Sequence, residues 1–181
     1  ADAIRLGNAA LLVAGGTESM SNTPYMLPRA RWGLRMGDGE IVDGMLRDGF
    51  ICPLAEEMMG ATAETLAERY AITRNEQDAY VVETQRRAAK AWSDGDFANE
   101  VIALTVRGKK GDVIVDRDEH LRGDTTMESL AKLPPVFRFG GTVHAGNSSG
   151  ITDGAAAMIV AGADAVKRHG LRPIARIVAY Q

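Results

Sequence analysis

Residues 142–162 constrain this chain more than any other stretch, and they read TVHAGNSSGITDGAAAMIVAG. A turn run of small residues, Gly146, Asn147, Ser148, Ser149, Gly150 and Gly154, feeds the apolar run Ala155–Ala161. That run lacks any alternation of polar and apolar residues, so it predicts a strand covered on both faces, as in a parallel or layered α/β sheet. Small side chains ahead of such a strand let a ligand approach the backbone at the sheet edge. A tight turn packed against its own helices satisfies the same composition, and this stretch alone does not separate the two. A second segment of the same design lies near residue 1. Ala10-Leu11-Leu12-Val13-Ala14 predicts another doubly covered strand, running into Gly15-Gly16-Thr17-Glu18-Ser19-Met20-Ser21.

The bulk numbers narrow the class. A chain of 181 residues, 45% hydrophobic and 25% charged, is long enough for one domain with a core, or one domain plus a smaller lobe. The net charge of −3 argues against general nucleic-acid or anionic-membrane binding. The single cysteine, Cys52, rules out an internal disulfide and fits a reducing compartment. No charged-then-apolar leader stands at residue 1, and no apolar run is long enough to span a bilayer. The expectation is a soluble, cytoplasmic protein.

Local signals then place the elements. Ala1–Asn8 reads as the tail of a helix stopped by Gly7-Asn8, as if the chain began inside a longer helix. Residues 22–48 read as loop, with Pro24, Pro28 and clustered glycines. Arg29, Arg31 and Arg35 there stand beside Trp32 and Met36, a solvated or subunit-contact patch. Met59, Ala63, Leu66, Ala67 and Tyr70 recur at helical spacing and predict one apolar face. Thr73 and Glu76 have the spacing of a capping box. In the helix they open, Tyr80, Val81, Thr84, Ala88, Ala91 and Trp92 predict a second apolar face. Residues 100–106 and 112–116 predict a hairpin across Gly108 and Gly111. Residues 127–133 predict a short helix stopped by Pro134-Pro135. A last helix over 163–169 ends at Gly170, with Lys167, Arg168 and His169 at the favourable end of its dipole. Residues 173–180 predict a strand that begins a new unit.

A reactive centre is hard to find among these residues. Cys52 lies in the apolar run Gly49-Phe50-Ile51-Cys52-Pro53-Leu54, with no neighbouring histidine. An activated thiol needs a base or a helix N-terminus, so Cys52 reads as a packing residue. His120 and His144 lack the spacing of a zinc site, and no metal site is expected. A His144–Ser149 hydrolase pair fails for want of a nucleophile elbow and a third group to orient the base. No catalytic residue is assigned. Met58-Met59 on a helix reads as core filling.

Three segments carry a resemblance. AGGTESMSNTPY (14–25), DEHLRGDTTMESLAKLPPVF (118–137) and GNSSGITDGAAAMIV (146–160) resemble, in that order, the thiolase family of acyl-CoA C-acyltransferases. The resemblance covers essentially the whole chain. It implies an α/β fold of the layered α-β-α-β-α thiolase type, partial here, with an inserted α+β loop domain. Residues 1–21 would end the N-terminal core domain and 22–145 form the loop domain. Residues 146–172 would supply the last strand and helix of that core domain, and 173–181 start the C-terminal core domain.

The family nucleophile lies on an Asn-x-x-Cys-x-Ser-Gly motif that would fall just before Ala1, so Cys52 is not it. The family's Asn-Glu-Ala-Phe and Gly-His-Pro motifs and its second cysteine are likewise not within these residues, and the chain alone is expected to be inactive. What the resemblance does imply here is a coenzyme A site, with a CoA thioester as substrate and no other cofactor. Arg122 would lie against the adenine end, Ser129 against the pantetheine-phosphate region, and Phe137 would wall the groove. Ala145, Gly146 and Ser149 would meet the pantetheine near the reactive centre, with Met59 beside the acyl group. Met58 stands where many thiolases have a histidine, which alters that contact. His144 stands where the family usually has a small residue, so it either touches the ligand or is structural. Taken singly, Arg122 is equally read as a surface ion pair with Asp118 or Glu119, and Ser129 as an exposed helix hydroxyl.

The implied partners are acyl-CoA and CoA, with no nucleic acid or membrane. The implied assembly is a homodimer or homotetramer, in which the region of residues 22–48 contacts a neighbouring dimer. Three readings remain: a thiolase segment, a non-catalytic CoA or acyl-CoA binding module (or lipid-carrier-type thiolase homologue), and a purely structural oligomerisation fragment.

Overall fold

A computed structural model describes residues 1–180. It begins with the short helix α1 (Asp2–Arg5) and the strand β1 (Leu11–Glu18). Short strands follow: β2 (Tyr25–Met26), β3 (Val42–Asp43), β4 (Ile51–Cys52) and β5 (Glu57–Met58). Then come helices α2 (Met59–Arg69) and α3 (Arg74–Asp94), strands β6 (Leu104–Val106) and β7 (Val113–Val115), and helix α4 (Met127–Ala131). Strand β8 (Gly154–Ala161) and helix α5 (Ala163–Arg168) complete the order. No helix among the described residues is long and apolar enough to cross a membrane.

These elements fall into two compact units, Ala1–Thr23 with the residues from Ile151 onward, and Pro24–Gly150. In the first, β1 and β8 pair along their full length from Leu11↔Ala161 to Glu18↔Gly154. The pairing is antiparallel, and both faces are open: Val13 on one face is 74% exposed and Met158 on the other 62%. Both predicted strands form, and the expectation that each is covered on both faces is corrected within this chain, where they make an antiparallel pair with largely open faces. An unbroken apolar run records that both faces are apolar; it does not record strand direction or whether the covering layers belong to the same residues. Gly15 sits where a Cβ would come within 2.5 Å of the Ala156 carbonyl, so the two backbones lie closer there than a side chain permits. At the open end, Asp153 accepts from the Ser21 N–H at 2.9 Å and from the hydroxyls of Ser19 and Ser21.

Helix α1 ends as the sequence predicts. Gly7 takes φ +77°, and the Asn8 N–H donates to the Ala3 carbonyl at 2.8 Å, closing a Schellman motif. Gly170, at φ +60°, closes α5 with the matching Leu171 N–H to Val166 carbonyl bond. Ala165 is the buried residue of α5. Residues 173–180 form no strand, against expectation, because no neighbouring strand takes up their backbone groups. The Tyr180 hydroxyl instead bonds Asp2 and accepts from Arg5 Nη1.

The second unit is built on α2 and α3. Thr73 accepts from the Glu76 N–H at 3.2 Å while the Glu76 carboxylate accepts from the Thr73 N–H at 2.7 Å, so the capping box forms. The hairpin also forms, with Val106 opposite Val113, though its strands are shorter than predicted. The apolar faces form in part: Ala67 is buried and Ala63, Val81, Thr84, Ala88, Ala91 and Trp92 are half-buried, but Met59, Leu66, Tyr70 and Tyr80 are exposed, and α2 and α3 also bury the charged Glu64 and Asp78. Burial follows the partner that is present, and the segment from Thr142 to His144 lies against the Glu64 arc of α2. Hydrophobic burial in this unit is confined, among the described residues, to Ala67, Leu130 and Val143. The proper core expected from length and composition is thus not assembled within this chain, whose large apolar side chains mostly face outward.

Candidate functional site

The second unit gathers its buried polar groups around one loop. From α2, Glu64 reaches across to the start of that loop. Its carboxylate accepts from the Thr142 N–H at 2.8 Å, the Val143 N–H at 2.7 Å and the Thr142 hydroxyl at 2.9 Å. Burial pushes the Glu64 carboxyl up, but the Val143 and Thr142 donors, helped by Arg138, outweigh it and hold the group below its ordinary value. A Cβ at Gly141 would strike the Glu64 carboxylate, so only glycine lets the backbone pass this close.

From α3, Arg74, Gln77 and Asp78 face the same loop. Asp78 Oδ1 lies 2.8 Å from His144 Nε2, and the His144 Nδ1 accepts from the Gly146 N–H at 3.0 Å. Because Nδ1 accepts, the imidazole proton sits on Nε2 and is donated to Asp78. His144 is 0% exposed. Gln77 donates to the Thr142 hydroxyl at 2.9 Å and accepts from Asn147 Nδ2 at 3.1 Å. Asn147 Oδ1 in turn accepts the His144 N–H at 2.7 Å. The Ala145–Asn147 turn is held from within and from both helices, and no buried side-chain nitrogen or oxygen among the described residues lacks a partner. Of the two readings of His144, the structural one fits: both ring nitrogens are engaged inside the protein.

The residues singled out from the sequence all lie in this unit. Met59, exposed, opens α2, and at the next position a Cβ on Gly60 would strike the ring of Phe137. The start of α2 and Phe137 are thus brought together. Gly146 rests on the side chains of Leu130 and Leu133, where a Cβ would come within 2.7 Å of each. That contact brings the Ala145–Gly146 turn against the helix carrying Ser129. The Ser129 hydroxyl is more than an exposed helix hydroxyl: it accepts from the Thr126 N–H at 3.0 Å and donates to the Thr126 carbonyl at 2.8 Å, capping α4.

Arg122 is exposed, and its backbone is fixed by a 2.9 Å bond from its N–H to Gln85 of α3. It makes no ion pair with Asp118 or Glu119 among the described residues. Ser149 is exposed and stands outside the polar cage, although its neighbour Gly150 packs on the His120 ring. A cavity of about 280 Å³ lined by Trp92, Gly95, Phe97, Val101 and Asp116 includes none of these residues. Cys52 sits half-buried on β4, its carbonyl accepting from the Glu56 N–H.

Sequence reasoning missed Glu64, Arg74, Gln77, Asp78 and Asn147. One signal was available: positions 74, 77 and 78 fall at i, i+3 and i+4, a polar stripe on one face of α3.

Residues 1–164 match the family described as thiolase, N-terminal domain. An acetyl-CoA acetyltransferase of Pseudomonas aeruginosa is 47% identical over 181 residues, covering 99% of this chain and 46% of that protein. The solved structure of acetyl-CoA acetyltransferase from Syntrophomonas wolfei superposes with a TM-score of 0.86 at 44% identity, over 95% of this chain and 43% of that one. Human mitochondrial 3-ketoacyl-CoA thiolase superposes with a TM-score of 0.85 at 42% identity, over 98% of this chain and 45% of that one. The chain spans about half the length of the relatives it matches.

Proposed function

The chain belongs to the thiolase family and has its α/β fold in part, and from that premise we propose that it serves acyl transfer between an acyl-CoA and either CoA or acetyl-CoA. In the proposed condensation a cysteine thiolate attacks the thioester carbonyl of an acyl-CoA, forming an acyl-enzyme and expelling CoA thiolate. In thiolysis the cysteine thiolate attacks the 3-keto carbonyl of a 3-ketoacyl-CoA, the bond between C2 and C3 breaks to release the acetyl-CoA enolate, which is protonated at carbon, and CoA thiolate then takes the acyl group from the cysteine. Condensation instead needs a base to remove a proton from the α-carbon of acetyl-CoA, and the resulting enolate attacks the acyl-cysteine carbonyl. These 181 residues hold one cysteine, Cys52, whose surroundings offer no activating base in sequence, so we assign the nucleophile to the remainder of the protein.

In this reading the second unit is the coenzyme cradle. Arg122 meets the adenine end, Ser129 the pantetheine-phosphate, and Phe137 walls the groove. Ala145, Gly146 and Ser149 meet the pantetheine, and Met59 lies beside the acyl group. The loop assignment 22–145 and core assignments 1–21, 146–172 and 173–181 go with it, as do a homodimer or homotetramer and a cytoplasmic setting. The observation that carries the proposal is 47% identity to an acetyl-CoA acetyltransferase maintained over 99% of this chain. The packing of Gly146 on the Ser129 helix supports it, since one ligand can touch both.

The test compares the complete gene product with this chain alone. The complete product is expected to cleave acetoacetyl-CoA when CoA is added, with a burst of acyl-enzyme; the chain alone is expected not to. CoA should raise the melting temperature of the complete product by mass action. A rise without turnover favours the non-catalytic binding module. Absence of both overturns the proposal.

A further inference from the structure

The geometry points to Arg74 as a positioning residue that ties both walls of the proposed coenzyme groove to one anchor, an inference that rests on the reading above. The Arg74 guanidinium divides its donors between two directions. Nε donates to Asp78 Oδ2 at 2.7 Å, while Nη2 donates to the Leu130 carbonyl at 2.6 Å and the Leu133 carbonyl at 3.2 Å. The second pair of bonds satisfies carbonyls at the C-terminal end of α4, which carries Ser129.

The first bond starts a relay. Asp78 holds His144 Nε2, and His144 Nδ1 holds the Gly146 N–H. Asp78 and His144 are both buried, with side chains 4% and 0% exposed, so neither has water to substitute for a lost partner. Gly146 rests on Leu130 and Leu133, the same two residues whose carbonyls Arg74 grips. One guanidinium thereby sets the α4 end and the Ala145–Asn147 turn against each other. The planar fork suits this, because its bonds leave from two separate atoms, Nε and Nη2, in fixed directions, whereas the three donors of a lysine ammonium radiate from one nitrogen.

The test uses the complete gene product with Arg74→Lys and Asp78→Asn, read by hydrogen exchange and by steady-state kinetics. In Asp78→Asn the side-chain amide presents a donor to either Arg74 or His144, which breaks the relay but leaves the Leu130 and Leu133 bonds. Arg74→Lys is expected to speed exchange in both 127–133 and 145–149, Asp78→Asn in 145–149 alone. Arg74→Lys should raise KM for CoA about tenfold, the scale of one charge-assisted hydrogen bond, with kcat within about threefold. If Arg74→Lys leaves exchange in either segment unchanged, or lowers kcat as much as kcat/KM, the anchor role is overturned. A wild-type protein without CoA-dependent turnover overturns the proposed function instead, and the exchange pattern still decides the anchor by itself.

Discussion

Glu64 and Val143, 79 residues apart, meet through a 2.7 Å hydrogen bond from the Val143 N–H to a carboxylate that is 3% exposed. The same carboxylate takes the N–H and hydroxyl of Thr142, so a buried charge is surrounded by donors that the loop backbone alone would leave unpaired. Glu64→Gln turns one acceptor into a donor facing those groups. Loss of about 2–3 kcal/mol in urea unfolding is expected, with faster exchange at 142–143. An unchanged midpoint would show that the loop holds without Glu64.

The same group imposes a pH dependence. The folded carboxyl titrates below its ordinary value, so its contribution is fully present above the unfolded carboxyl value of about 4.3 and is lost as pH falls through the lower folded value. The stability difference between wild type and Glu64→Gln should therefore be flat near neutral pH and shrink below pH ~4. A difference that stays constant through that range would contradict the assignment.

Gly60 and Phe137 make the third prediction. A Cβ at position 60 lands on the Phe137 ring, so Gly60→Ala must push the ring aside, at a cost of about 1–3 kcal/mol. In the complete gene product the CoA-induced rise in melting temperature should fall along with it. If stability drops and the CoA response is intact, Phe137 does not wall the groove.

Ala71 makes the fourth. It closes α2 at φ +52°, donating its N–H to the Glu68 carbonyl, and it does so without being glycine. A left-handed alanine is strained, and glycine removes that strain while losing some entropy to the unfolded chain. Ala71→Gly is expected to stabilise by about 0.5–1 kcal/mol, measured as a higher denaturation midpoint. A fall in the midpoint would mean the entropy loss outweighs the strain.

Features set within a few residues were legible from the sequence. The Thr73–Glu76 box, the glycine stops at Gly7 and Gly170 and the Gly108–Gly111 hairpin turn each depend on neighbours three to five positions away, so composition at fixed offsets is enough. The motif order was legible too, because 14–25, 118–137 and 146–160 are contiguous strings whose resemblance needs no contact map, and the family match followed.

What the tertiary structure alone decided is which groups those elements turn toward one another. Strands 11–18 and 154–161 advertised apolar faces but not their antiparallel direction, and the apolar stripes of Leu66, Tyr70 and Tyr80 advertised burial that this chain does not provide. Conversely Glu64, Asp78 and His144 are charged or polar residues that lie buried, which is tolerable only because donors and acceptors 66–79 positions distant converge on them. Such pairing depends on where the backbone returns, a property of the whole path and of no local window. The sequence by itself therefore determined the caps, the elements and the family; the folded path determined the polar anchor around Gly146.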